Sequence, residues 1–113
     1  MSWVRVASAD ELDDDLPLAV EVETPEEDLD VAIVRHGGRL FAIEDECSHG
    51  NVPLSEGDVE DGTIECYLHG SVFDLATGEA KSLPATQPVR VFPVRIEGDE
   101  IQVDPTTTVN ESQ

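Results

Sequence analysis

Basic residues are nearly missing from this 113-residue chain: six lysines and arginines stand against 26 aspartates and glutamates, a formal charge of −20. Such a surface excludes a nucleic-acid binder, whose affinity comes from cations placed on phosphates, and it repels anionic membranes. It attracts a basic protein partner, an attraction that salt weakens. The same acidity also suits a salt-rich or generally acidic cellular environment, and composition leaves both readings open. Long apolar runs are missing too. No stretch approaches the ~20 residues that cross a bilayer as a helix, "MSWVRVASADELDDD" lacks the basic-then-apolar order of a secretory signal, and the C-terminus has no lipidation motif. The expected compartment is the cytoplasm. Aromatics are few, and cysteine is limited to Cys47 and Cys66. In a reducing cytoplasm a disulfide between them is disfavoured, and metal binding or reactivity gains weight. The length predicts one domain with a modest core, too small for a multilayered enzyme.

What is present is mostly strand pattern. Trp3-Val4-Arg5-Val6 reads as a short opening strand, Ser8 with Glu11 as the cap of a brief helical turn, and Leu18 to Glu23 as a half-buried strand alternating apolar and acidic residues. "DVAIVRHGGRLFAIED" predicts two strands joined at Gly37-Gly38, and "VFPVRIEGDEIQVD" a second hairpin turning at Gly98-Asp99. Ser71 to Leu75 looks like a strand followed by an Ala76-Thr77-Gly78 turn, and Leu83-Pro84-Ala85-Thr86 like a proline-stiffened loop. No helix-length periodicity and no internal repeat is evident. The pattern predicts an all-β, antiparallel domain over 1–104 with a loop-rich insertion at 47–70, and a loose polar tail over 105–113.

The insertion gathers both cysteines and two of the three histidines into mixed pairs, Cys47-Ser48-His49 and Cys66-Tyr67-Leu68-His69. Structural zinc takes two Cys and two His, but its common spacing groups like with like. A binuclear iron–sulfur centre with two thiolates on one iron and two imidazoles on the other explains the mixture better, because each loop then spans both irons. Neutral imidazoles in place of thiolates raise the potential to about −150 to +300 mV. The remaining histidine, His36, reads as an exposed residue beside a turn. The acids Glu44, Asp45 and Glu46, and Glu56, Asp58, Glu60, Asp61 and Glu65 between the pairs, read as a solvated face; any that surround the site would disfavour a reduced centre and steer basic partners.

Cys47-x-His49, sixteen residues, then Cys66-x-x-His69 resembles the Rieske [2Fe–2S] signature. The flanks "CSHG" and "CYLHGSVFD" resemble the family's cluster loops, "LPA" at 83–85 its proline-containing third loop, and the final hairpin that of small Rieske ferredoxins serving bacterial aromatic-ring dioxygenases. The resemblance implies a β-sandwich or barrel with a cluster-binding subdomain. It implies one [2Fe–2S] cluster, with Cys47 and Cys66 on the inner iron and His49 and His69 on the outer, exposed one. The chain would be a one-electron carrier with no catalytic site, working between a flavoprotein reductase with a basic face and a terminal oxygenase. A Rieske oxygenase would also need a mononuclear iron held by two histidines and a carboxylate, and only His36 is left. Respiratory relatives carry a cysteine where this chain has Leu68 and a tyrosine where it has Phe73, alongside a serine matching Ser71. A Rieske subunit for nitrite reduction or iron–sulfur assembly remains the alternative, and a zinc interaction module a more distant one.

Overall fold

In the computed structural model the described residues are 3–25, 28–46, 52–67, 70–81 and 88–109. Their strands in chain order are β1 (Val4–Ser8), β2 (Leu18–Glu23), β3 (Asp28–His36), β4 (Arg39–Glu44), β5 (Asp58–Glu60), β6 (Thr63–Glu65), β7 (Val72–Asp74), β8 (Val91–Phe92), β9 (Val94–Glu97) and β10 (Glu100–Val103). They form three antiparallel sheets ordered β1-β10-β9, β2-β3-β4-β8 and β5-β6-β7. Helix among the described residues is limited to two single 3₁₀ turns, Ala9–Glu11 and Leu54–Glu56. In the first, the Glu11 carboxylate accepts from Ser8 N–H at 2.8 Å, as the S-x-x-E spacing predicts.

The four-stranded sheet is the middle layer. Successive β-strand residues face opposite ways, and β3 buries both faces: Val31, Ala32, Ile33 and Val34 are each 0% exposed. Val31 and Ile33 join Ala42, Phe92, Ile101 and Val103 in one core, under the β1-β10-β9 sheet. Ala32 and Val34 join Phe41, Ile43, Leu54, Ile64, Cys66 and Phe73 in a second core, under the β5-β6-β7 sheet. A strand buried on both sides loses strict alternation and reads as a continuous apolar run, which is how "VAIV" is written. The all-β, antiparallel expectation holds, with a small sheet packed on one face of the central one.

Both predicted hairpins form at the expected turns, with His36↔Arg39 paired across Gly37-Gly38 and Glu97↔Glu100 across Gly98-Asp99. A third was not foreseen: β5 and β6 pair Glu60↔Thr63 across Asp61-Gly62, within the stretch read as loop-rich. Asp61 and Gly62 have φ of 53° and 78°, the left-handed pair that a type I′ turn demands and that Asp-Gly supplies. After β7, Asp74 Oδ1 accepts from Ala76 and Thr77 N–H at 2.8 and 3.0 Å, closing the expected turn. From Pro105 the chain stays on the domain for several residues. Thr106 N–H and Oγ1 donate to Asp104 Oδ1 at 3.0 and 2.5 Å, and Val109 N–H donates to Val91 O at 2.8 Å.

Candidate metal centre

Of the four predicted ligands, Cys66 is among the described residues; Cys47, His49 and His69 lie outside them, as does the Leu83–Thr86 loop. Cys66 follows β6 and is a free thiol, 1% exposed. Its N–H donates to Ser71 O at 2.7 Å and its carbonyl accepts from Gly70 N–H at 3.0 Å. The second ligand loop therefore leaves and re-enters the sheet at one closed point. The thiol sits in the core that holds Leu54, Ile64, Phe73 and Val89. Such an apolar shell governs solvent access and dielectric around a metal site. Ser71 is 0% exposed, so it does not face water. Phe73 is likewise fully buried, opposite Ile64 on β6.

The entry to the first ligand loop is built differently from its sequence reading. Glu44-Asp45-Glu46 looked like a solvated acidic run, and Glu46 is exposed. Asp45, however, is 7% exposed. Its Oδ1 accepts from Ser55 N–H at 2.6 Å and its Oδ2 from Ser55 Oγ at 2.7 Å. A buried carboxylate needs such donors to offset lost hydration. Asp45 N–H also donates to Asp30 O on β3 at 2.8 Å. Glu44 accepts from the Arg90 backbone N–H at 3.2 Å and from its guanidinium at 3.1 Å, joining the end of β4 to the chain that precedes β8. Charge pattern counts acids without showing which one the register turns inward, so it missed Asp45. The other acids between the ligand pairs, Glu56, Asp58, Glu60, Asp61 and Glu65, are exposed as expected.

Gly57 is a second residue that sequence reading passed over. A Cβ there would lie 1.7 Å from the Glu65 carbonyl oxygen and 2.9 Å from its carbon. Only glycine lets the chain leaving the 3₁₀ turn press against the backbone one residue before Cys66. Close by in sequence, Tyr67 is 56% exposed beside the buried cysteine. His36 stands at the far end of β3 from Asp30, six residues or about 20 Å away along the strand, and its Nδ1 lies 2.7 Å from Asp15 Oδ1. It is half-buried and paired rather than free beside its turn.

The Rieske [2Fe-2S] domain model matches residues 2–93. The chain belongs to the Rieske [2Fe–2S] family. It is 44% identical to the anthranilate 1,2-dioxygenase ferredoxin subunit of Burkholderia cepacia over 103 residues, 90% of this chain and 91% of that one. Among solved structures, the ferredoxin of carbazole 1,9a-dioxygenase from Nocardioides aromaticivorans IC177 superposes with a TM-score of 0.81 at 36% identity, covering 93% of this chain and 99% of the other. A complex of reduced oxygenase and oxidized ferredoxin in carbazole 1,9a-dioxygenase contains a chain that matches at a TM-score of 0.78 and 34% identity, over 89% and 91%. A Rieske domain carries one [2Fe–2S] cluster, and the described part of the site suits one: an unpaired, buried thiol heads a closed turn in an apolar core with a buried serine beside it. Among the described residues no helix is long and apolar enough to cross a membrane.

Proposed function

We infer that the protein is the ferredoxin of an aromatic-ring dioxygenase system, carrying single electrons from a flavoprotein reductase to a terminal oxygenase. When bound, the cluster supplies a site that accepts and gives up one electron. Cys47, His49, Cys66 and His69 are its ligands in this reading. The observation that carries it is Cys66: a fully buried, unpaired thiol at the head of a closed turn, in a chain aligned with dioxygenase ferredoxins over nearly its whole length.

The protein's own residues do three things for that role. The Leu54, Ile64 and Phe73 side chains keep water from the Cys66 side of the site, so little solvent has to reorganise when charge arrives. Exposed Tyr67, next to Cys66, offers the kind of aromatic surface that anchors interfaces. The exposed acids at 46, 56, 58, 60, 61 and 65 favour partners with a basic face. The names of the relatives favour a dioxygenase over nitrite reduction or iron–sulfur assembly.

Iron and acid-labile sulfide should be present in equal amounts in a red-brown purified protein. Electron transfer from the reductase should slow as ionic strength rises. A colourless protein with stoichiometric zinc would overturn the cluster reading. Rates indifferent to salt would remove the basic-faced partner and leave the acidity to the cellular environment.

A further inference from the structure

We propose that Asp45 and Ser55 form a clasp that positions the first ligand loop, and that this pair, rather than the sheet alone, sets how firmly the protein holds its cluster. The proposal rests on the ligand assignment above. Asp45 and Ser55 stand ten positions apart in sequence, and both carboxylate oxygens of Asp45 close that interval on the single residue Ser55. The segment that contains Cys47 and His49 is therefore tied at its entry and its exit by one charge-assisted, two-point contact.

The two sides of the clasp are themselves fixed. Asp45 hangs from β3 through its N–H to Asp30 O, and its neighbour Glu44 grips Arg90. Ser55 sits in the 3₁₀ turn Leu54–Glu56, whose Leu54 is 0% exposed in the same core as Cys66. Two residues on, Gly57 abuts the Glu65 carbonyl immediately before Cys66. The path from Asp45 through Ser55 and Gly57 to Cys66 thus runs from the first ligand loop to the second without a break. No metal ligand lies on it before Cys66, so the clasp acts through positioning. A ligand loop held at both ends reopens less often, and iron leaves only when a ligand opens.

The test uses the cluster-loaded protein. Iron release into a strong chelator is followed by loss of visible absorbance, and the electron paramagnetic resonance g-values of the dithionite-reduced protein are recorded. Ser55→Ala removes the Oγ–H donor to a buried carboxylate and should release iron about tenfold faster or more, with shifted g-values. Ser55→Thr keeps the hydroxyl and should restore both. Ile101→Val, in the other core, should lower the denaturant midpoint and leave iron release alone. Wild-type release and g-values in Ser55→Ala would overturn the clasp, as would equal acceleration in an Ile101→Val protein of matched stability. A wild-type protein without iron and sulfide would instead overturn the ligand assignment, and the clasp's role with it; a normal cluster that Ser55→Ala leaves untouched overturns the clasp alone.

Discussion

The two faces of the central sheet are covered in opposite ways. On one face the β1-β10-β9 sheet lies over Val31, Ile33 and Ala42, with strands of four or five residues; the β9–β10 ladder is unbroken and the β1–β10 ladder shifts register once, between Arg5 and Ala7. On the other lies the β5-β6-β7 sheet, whose strands are three residues each. Strands that short close few ladder hydrogen bonds and gain little from cooperativity. Tertiary contacts take over instead: the Asp45–Ser55 hydrogen bonds, Leu54 and Phe73 driven into the core, and the Gly57 backbone close against the Glu65 carbonyl. One face is a fold that happens to lie near the site. The other is held by the contacts that surround Cys66.

Removing the metal should break this comparison most visibly. Chelation under reducing conditions, or Cys66→Ser, is expected to abolish the visible spectrum. Amide hydrogen exchange over β5–β7 should accelerate by orders of magnitude while β3 and β10 stay protected. Equal exposure of all three sheets would show a single cooperative unit and end the distinction.

Core substitutions sharpen it next. Ile33→Ala, at a fully buried site on the scaffold face, should cost about 2–5 kcal/mol in denaturant unfolding. Cluster loss below the transition should change little. Gly57→Ala must move backbone to fit its Cβ and should cost about 1–3 kcal/mol or more, with cluster loss dominating the phenotype. If both variants lost cluster in proportion to stability alone, the faces would not differ.

A smaller effect lies in the potential. Ser71 is buried beside the Cys66 turn, and a hydroxyl donor near the thiolate side stabilises the more negative, reduced state. Ser71→Ala should lower the midpoint potential and Phe73→Tyr raise it, each by some tens of millivolts, on a scale of about 59 mV per tenfold for one electron. Voltammetry with intact cluster spectra decides; unchanged potentials in both would remove the hydrogen-bond argument and spare the ligands.

The smallest effect concerns the scaffold's charge. Glu21 faces Asp30 and Glu23 faces Asp28 directly across β2 and β3, as Asp58 faces Glu65 and Glu97 faces Glu100 elsewhere. Opposed like charges are destabilising, by about 0.2–1 kcal/mol a pair. Glu23→Gln should raise the denaturant midpoint in dilute buffer and lose that advantage in molar salt. The same gain at every salt concentration would point to packing.

Sequence made the scaffold face legible because its code is local. Gly37-Gly38 sits between two apolar runs and Gly98-Asp99 between alternating ones, and the turn chemistry fixes the register. The four Cys and His candidates stood out for another reason: metal chemistry admits few residue types, so mixed pairs in a chain this poor in both are conspicuous, and of the four Cys66 is the one among the described residues. Asp61-Gly62 carried the same hairpin signal as the others, but three-residue strands gave no alternation to confirm it. Asp45 and Gly57 were hidden because their roles are tertiary. One is an acid in an acidic run whose partner is ten residues away, and the other a glycine whose reason is a carbonyl across the hairpin.

The opposed carboxylates have a consequence for how these molecules meet one another. β2 and β5 each form the rim of a sheet, and they present Glu21 and Glu23, and Asp58 and Glu60, to solvent. An open rim is a template on which a second copy can continue the sheet, and charge along it prevents the match. The pairs that weaken the ladder from within therefore keep it from growing outward. The charge that costs stability within each sheet thus disfavours pairing of one copy's rim with another's.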